Sequence, residues 1–299
     1  MNRVSDKTVP VSNGAYARER LLAGTPVMEV RREVAGVSTA MLECGAGSPV
    51  VLLHGQGAFA ALWVPIMAGL AEQHRVIAPD LPGLGDSASA HGPLGPDAVA
   101  DWLRELIERT CEERPVLVGL SLGGQIAAGF AARDSDRLAG LVLVDTPGLV
   151  GKPRLGPGTL LALLRHSARP SRHSTVRLLR HLVVDVDRLR DRLGDRWEPF
   201  LDYMVDRART PSVKRANRRL MSEIGLRQIA PEELDDITVR TTLVWGSADR
   251  ITPPSTAEQA SRLRGWPLHV IADAGHLAVA EQPRQVLTAL RSALHPSRD

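Results

Sequence analysis

Cysteine is almost absent from this chain. Cys44 and Cys111 stand alone among 299 residues, too few for a disulfide framework and without metal-ligand spacing. Both are expected as free thiols in a reducing compartment. Aromatic residues are scarce too, at 3%, which leaves little surface for stacking nucleic-acid bases, and no nucleic-acid-binding motif is present. No apolar run is long enough for a membrane helix, so no membrane insertion is expected. Residues 1–24 lack the apolar centre of a secretory signal, which makes a cytoplasmic location the expectation. Net charge is only +3. The basic surplus gathers between Lys152 and Arg227 and reads as arginines on solvated faces of amphipathic helices. Internal repeats and low-complexity segments are missing as well.

What is present is ordinary for a globular chain: 43% hydrophobic and 24% charged residues. The length suits one large domain carrying an insertion, and nothing in the composition stands against a homo-oligomer. Residues 1–27 are expected as a loosely held leader with a short helix over 15–22. Met28–Val34 and Val37–Glu43 read as a β-hairpin turning at Ala35-Gly36. Continuous apolar runs then mark strands buried on both faces: Pro49–Leu53, Arg75–Pro79, Pro115–Val118, Leu138–Val144, Val239–Trp245 and Pro267–Ile271. Helical patterns alternate with them at Trp63–Gln73, Asp97–Glu112, Gln125–Arg133, Ser255–Leu263 and Leu277–Leu294. This alternation predicts an α/β fold with a mostly parallel, doubly wound sheet. It is interrupted from Gly151 onward by four amphipathic helices, over 160–167, 175–184, 197–209 and 212–224. The expected organisation is a core of 28–148 and 238–299 with a helical cap of 149–237.

Ligands of such sheets bind at the carboxyl ends of the strands, and the chemistry-bearing residues gather there. Gly119-Leu120-Ser121-Leu122-Gly123-Gly124 follows an apolar strand and opens an Ala-rich helix. A serine on so tight a turn needs small neighbours, and the following helix aims its first N–H groups toward the hydroxyl. Asp249 and His276 each come just past a later strand. A serine hydroxyl is a weak nucleophile, so His276 is expected to take its proton and Asp249 to orient the imidazole. Asp145, also at a strand end, competes for the acid's role. The turn His54-Gly55-Gln56-Gly57 can aim backbone N–H groups at an oxyanion. His54 itself is read as holding that turn. The acids of the 80–87 loop are read as turn and cap formers.

Five segments together resemble the α/β-hydrolase superfamily, in a member with a serine nucleophile and a helical cap. They are Val51–Gly55, Asp80–Ser87, Gly119–Gly124, Leu243–Asp249 and Gly275-His276. The resemblance implies the α/β-hydrolase fold, with Ser121, Asp249 and His276 catalytic and the backbone N–H groups of Gln56 and Leu122 as oxyanion hole. Gly55, Gly57, Phe59, Leu149 and Trp197 are expected against the substrate, with Leu160 near them. Serine in place of aspartate argues against epoxide opening and dehalogenation. A small acyl substrate fits: an ester, thioester or lactone. Carbon–carbon hydrolysis of a vinylogous diketone, peroxide-dependent acyl chemistry and a non-hydrolytic receptor role remain open. No cofactor and no metal is implied. The basic cap suggests one further expectation, an acidic group on the substrate met by a cap arginine.

Overall fold

The computed structural model describes residues 13–89 and 94–294. Eight strands form one sheet: β1 (Met28–Val34), β2 (Val37–Cys44), β3 (Ser48–Leu53), β4 (His74–Pro79), β5 (Val116–Leu120), β6 (Gly140–Val144), β7 (Thr241–Gly246) and β8 (Leu268–Ile271). Their order is β1-β2-β4-β3-β5-β6-β7-β8. The hairpin β1–β2 and the β2–β4 pair are antiparallel, and every other pairing is parallel. Ala35 and Gly36 both take positive φ, at 47° and 71°, as a two-residue hairpin turn requires.

The apolar runs form buried strands because both sheet faces are covered. In β3, Val50 and Leu52 join one core while Val51 and Leu53 join the other. α1 (Asn13–Leu22), α2 (Val64–Leu70), α3 (Pro96–Thr110) and α4 (Leu122–Asp134) come before β6 or directly precede it. Six helices lie between β6 and β7: α5 (Pro157–Ala168), α6 (Arg172–Leu182), α7 (Val186–Leu193), α8 (Trp197–Arg209), α9 (Pro211–Leu220) and α10 (Pro231–Asp235). Then come α11 (Pro254–Arg264), α12 (Ala278–Glu281) and α13 (Pro283–Leu294). α2 and α13 fill one core, and α3, α4 and α11 fill the other.

Several expectations are corrected. The last helix is two: Pro283 has no N–H to give and starts α13 afresh after Gln282. β5 runs to Leu120 and α4 starts at Leu122, so one residue makes the turn. Residues 186–193, unassigned in the arginine-rich stretch, form α7, whose N-terminal N–H groups on Asp187 and Arg188 are capped by Asp185.

The leader differs most. Residues 1–12 lie outside the described residues, but α1 is firmly docked: Ala17 and Leu21 are core residues. Arg18 is 2% exposed and donates from Nη1 to Asp80 Oδ2 at 2.9 Å and to the Tyr203 hydroxyl at 3.0 Å. The Tyr203 hydroxyl in turn donates to Asp86 Oδ1 at 2.9 Å. Burial works against the Arg18 cation, but Asp80, Tyr203 and Asp86 outweigh it and hold its pKa above the guanidinium norm. Asp80, fully buried, also accepts from the backbone N–H of Ala60 and Asp86. Removing the arginine strands that carboxylate. Arg18→Met is expected to cost about 3 kcal/mol or more in urea unfolding, with part recovered in Arg18→Met/Asp80→Asn. A cost equal in both variants would mean that packing, not charge, anchors α1.

Candidate active site

Ser121 occupies the turn between β5 and α4 with φ 53° and ψ −117°, a backbone state that non-glycine residues rarely adopt. The turn is pinned on both sides: Ser121 N–H donates to the Val144 carbonyl at 2.9 Å, and Gln125 N–H donates to the Ser121 carbonyl at 3.1 Å. Gly123 is required by close approach. A Cβ there would lie 2.4 Å from the Leu53 carbonyl oxygen and 2.6 Å from that of His54. The first turn of α4 therefore rests against the end of β3. The same closeness brings the loop after β3 alongside the serine, since a Cβ on Gly55 would lie 3.2 Å from Ser121 Cβ.

Asp249 and His276 reach the serine from the loops after β7 and β8, beyond β6 in the sheet. Asp249 Oδ1 accepts from the N–H of Ile251 at 2.7 Å and of Thr252 at 3.0 Å, which fixes the carboxylate. Its Oδ2 lies 2.8 Å from His276 Nδ1. His276 Nε2 lies 2.9 Å from Ser121 Oγ. A carboxylate on Nδ1 selects the tautomer with the proton there, leaving the Nε2 lone pair for the serine O–H. Both residues are nearly inaccessible, with Asp249 4% and His276 5% exposed.

A residue that the sequence did not single out holds the histidine loop. Glu281, 6% exposed, accepts from Gly275 N–H at 2.7 Å and from Val184 N–H at 2.6 Å. His276 N–H donates to the Leu182 carbonyl at 2.7 Å. The loop is thereby tied to the end of α6. The available signal was a lone carboxylate in the apolar stretch 277–281. Burial pushes the Glu281 carboxyl up, against the two N–H donors.

Asp145 sits behind Asp249 rather than against the histidine. It is fully buried with φ 45°, its Oδ1 accepts from Gly246 N–H at 2.8 Å, and its Oδ2 has no partner among the described residues. Burial, then the Asp249 charge, raise its pKa well above the usual carboxyl range. His54 is fully buried too. Its Nδ1 lies 2.9 Å from the Gly55 carbonyl and its Nε2 accepts from Leu81 N–H at 3.0 Å. Burial lowers its pKa. It braces the two loops it joins.

Ser121 and His276 open onto a cavity of about 570 Å³. Gly55, Gln56, Gly57 and Leu122 line it as expected; Phe59, Leu149, Leu160 and Trp197 do not. The Phe59 ring stacks edge-on against Tyr203, with centroids 4.6 Å apart, beneath α8. Trp197 stacks on Phe200, and Leu149 is in the core beside α4. Leu160 is exposed. Met204, Arg207 and Ala208 are the residues of α8 that face the cavity. An amphipathic pattern shows that a helix has an apolar face, not which of two apolar surfaces receives it. Among the described residues no cluster of potential metal ligands is present, and no helix is long and apolar enough to cross a membrane.

Asp145 yields a pH prediction. Above the ordinary carboxyl range the unfolded chain has released this proton while the folded chain still holds it. Folded-state proton uptake exceeds that of the unfolded state, so this residue's contribution to stability falls as pH rises. Asp145→Asn mimics the protonated acid and removes the fall. Above about pH 5 the unfolding free energy of the variant should gain on the parent protein, by up to about 1.4 kcal/mol per pH unit for as long as the acid stays protonated. A gap independent of pH would show that Asp145 is ionised in the fold.

Comparison with known proteins bears on these features. The family model described as "Alpha/beta hydrolase family" matches residues 50–289. A 2-hydroxy-6-oxo-6-(2'-aminophenyl)hexa-2,4-dienoic acid hydrolase of Metapseudomonas resinovorans is 29% identical over 277 residues, covering 88% of this chain and 90% of that protein. An esterase of Mycobacterium tuberculosis is 27% identical, covering 90% of each. Among solved structures, a thermophilic esterase from Thermogutta terrifontis superposes with a TM-score of 0.70 at 28% identity, covering 89% of this chain and 98% of that one. With the matched sheet, helices and strand-end loops, the chain belongs to the alpha/beta hydrolase family.

Proposed function

We propose that this protein is a serine hydrolase that cleaves an ester, thioester or lactone of a small organic molecule through an acyl-enzyme. One observation carries the reading: a continuous hydrogen-bonded path from Asp249 through His276 to Ser121 Oγ that ends at a cavity wall. His276 Nε2 takes the Ser121 proton as Oγ attacks the acyl carbon, and the carbonyl oxygen gains the negative charge. The backbone N–H groups of Gln56 and Leu122 receive that oxyanion. Leu122 is the first residue of α4, where the N–H groups have no intrahelical acceptor and the helix dipole favours negative charge. His276 then delivers the proton to the leaving group as the carbon–oxygen or carbon–sulfur bond breaks, and water repeats the sequence to free Ser121. The residues between β6 and β7 serve as a cap over the strand ends, supported by the cavity walls that α5, α6, α8 and α9 contribute.

Carbon–carbon hydrolysis is the second reading, favoured by the dienoic acid hydrolase relative. Ser121→Ala is expected to fold normally and lose turnover, and a fluorophosphonate should label Ser121 alone. Turnover within a few-fold of the parent protein, or label elsewhere, overturns the proposal. Steady p-nitrophenyl release, with kcat/KM above that for a vinylogous diketone, supports ester cleavage, and the reverse ranking supports carbon–carbon cleavage. Stoichiometric labelling without turnover would indicate a receptor. Asp249→Asn is expected to lower kcat by about four decades, through the wrong imidazole tautomer, and far more than Asp145→Asn. The opposite ranking would transfer the acid's role to Asp145.

A further inference from the structure

The cavity carries charge of one sign. Arg154, Arg207, Lys214 and Arg218 line it, and among the described residues no aspartate or glutamate does. Arg207 is already matched: it pairs with Asp206 and Asp86 and donates to the Gly85 carbonyl. Arg154 and Arg218 are exposed, where water screens them. Lys214 is different. It is half-buried at the start of α9 and forms no ion pair with any described residue. A partly desolvated ammonium facing a carboxylate-free wall is unfavourable until an anion joins it.

Its surroundings offer polarity without a competing acid. His166, 7% exposed on α5, lies near enough to Lys214 for that charge, after burial, to lower its pKa. Both causes favour the uncharged imidazole, and its Nδ1 lies 3.1 Å from Ser174 Oγ. Lys214, Asn217, Arg218 and Met221 recur at helical spacing and all line the cavity. Asn217 Oδ1, on the same face, is buried without a partner among the described residues. The opposite end of the same face lies beside the nucleophile turn: a Cβ on Gly225 would meet Met221 Sδ at 2.5 Å and Leu122 Cδ1 at 3.4 Å. Lys214 is two helical turns back, about 10 Å along the axis. Leu163, Leu178, Leu182, Met204 and Val213 supply an apolar lining.

We propose that the α9 face around Lys214 is a carboxylate subsite, and that the substrate class is a monoester or monothioester of a dicarboxylic acid, with an apolar spacer between the scissile carbonyl and the free acid. The proposal rests on the acyl-hydrolase reading of Ser121. It assigns recognition to a cap lysine rather than to the cap arginines, which are exposed or already paired.

The test compares p-nitrophenyl monoesters of dicarboxylic acids of increasing length with neutral alkanoate esters of matched length. The parent protein should favour the acid at an intermediate length by about tenfold or more in kcat/KM. Lys214→Met should abolish that ratio, mainly through KM for the acid, and Lys214→Arg should restore part of it. Preference for the neutral ester at every length, or equal losses for acid and neutral ester in Lys214→Met, overturns the subsite. A binding measurement separates this from failure of the hydrolase reading. Ser121→Ala should bind the mono-acid ester by calorimetry, and Ser121→Ala/Lys214→Met should bind it at least about tenfold more weakly. Lysine-dependent binding with no turnover in the parent protein would overturn the hydrolase reading alone. Binding indifferent to Lys214 would overturn the subsite alone.

Discussion

Gly123 lays its backbone against the carbonyls of Leu53 and His54, and the rest of the site is measured from that contact. It sets how far α4 stands from the end of β3. It thereby fixes where Ser121, one residue before the helix, can place its oxygen. With no Cβ to spare at Gly123, the serine takes the strained backbone that the Val144 carbonyl and the Gln125 N–H hold in place. The strain is local, and the paired strands on either side over-determine it. The ends of β7 and β8, the second and third strands beyond β5, then need only loops of ordinary length to bring Asp249 and His276 within hydrogen-bond reach.

Three carboxyl groups, Asp145, Asp249 and Glu281, share the space behind His276, and their surroundings divide the work. Asp249 faces two backbone N–H groups and the imidazole. Asp145 receives the Gly246 N–H on Oδ1 while its Oδ2 is unpartnered among the described residues at full burial, surroundings that, with the Asp249 charge, favour its protonated form. Glu281 spends both oxygens on backbone N–H groups of two segments. Environment rather than residue type separates the acid that meets the imidazole from the two that do not.

The parallel strands were legible because burial on both faces leaves continuous apolar runs, as in Val50–Leu53 and Leu141–Val144. Ser121, Asp249 and His276 were legible because each follows such a run, and the sheet register then brings the strand ends together. The anchoring of α1 was not, because Arg18 looks like a solvent-facing residue until Asp80 and Tyr203 arrive from distant parts of the chain. The cavity walls were illegible for a related reason. Phe59 and Trp197 are apolar and near the site in sequence pattern, yet their rings pack on Phe200 and Tyr203, on the side of α8 away from the cavity. Lys214 was one basic residue among many, and only its half-burial without an ion pair among the described residues, in a cavity that none of their acids lines, distinguishes it.

The bond from His276 N–H to the Leu182 carbonyl, with the Glu281 bridge to Val184, has a mechanical meaning. α6 contributes Leu178 and Leu182 to the cavity wall while its last turn fastens the backbone beneath the imidazole. Cavity wall and imidazole thus share one point of attachment. A displacement of α6 large enough to break that bond would also loosen the backbone that carries Nε2. Under the proposed hydrolase reading, wall and imidazole are then positioned together, because one backbone bond serves both.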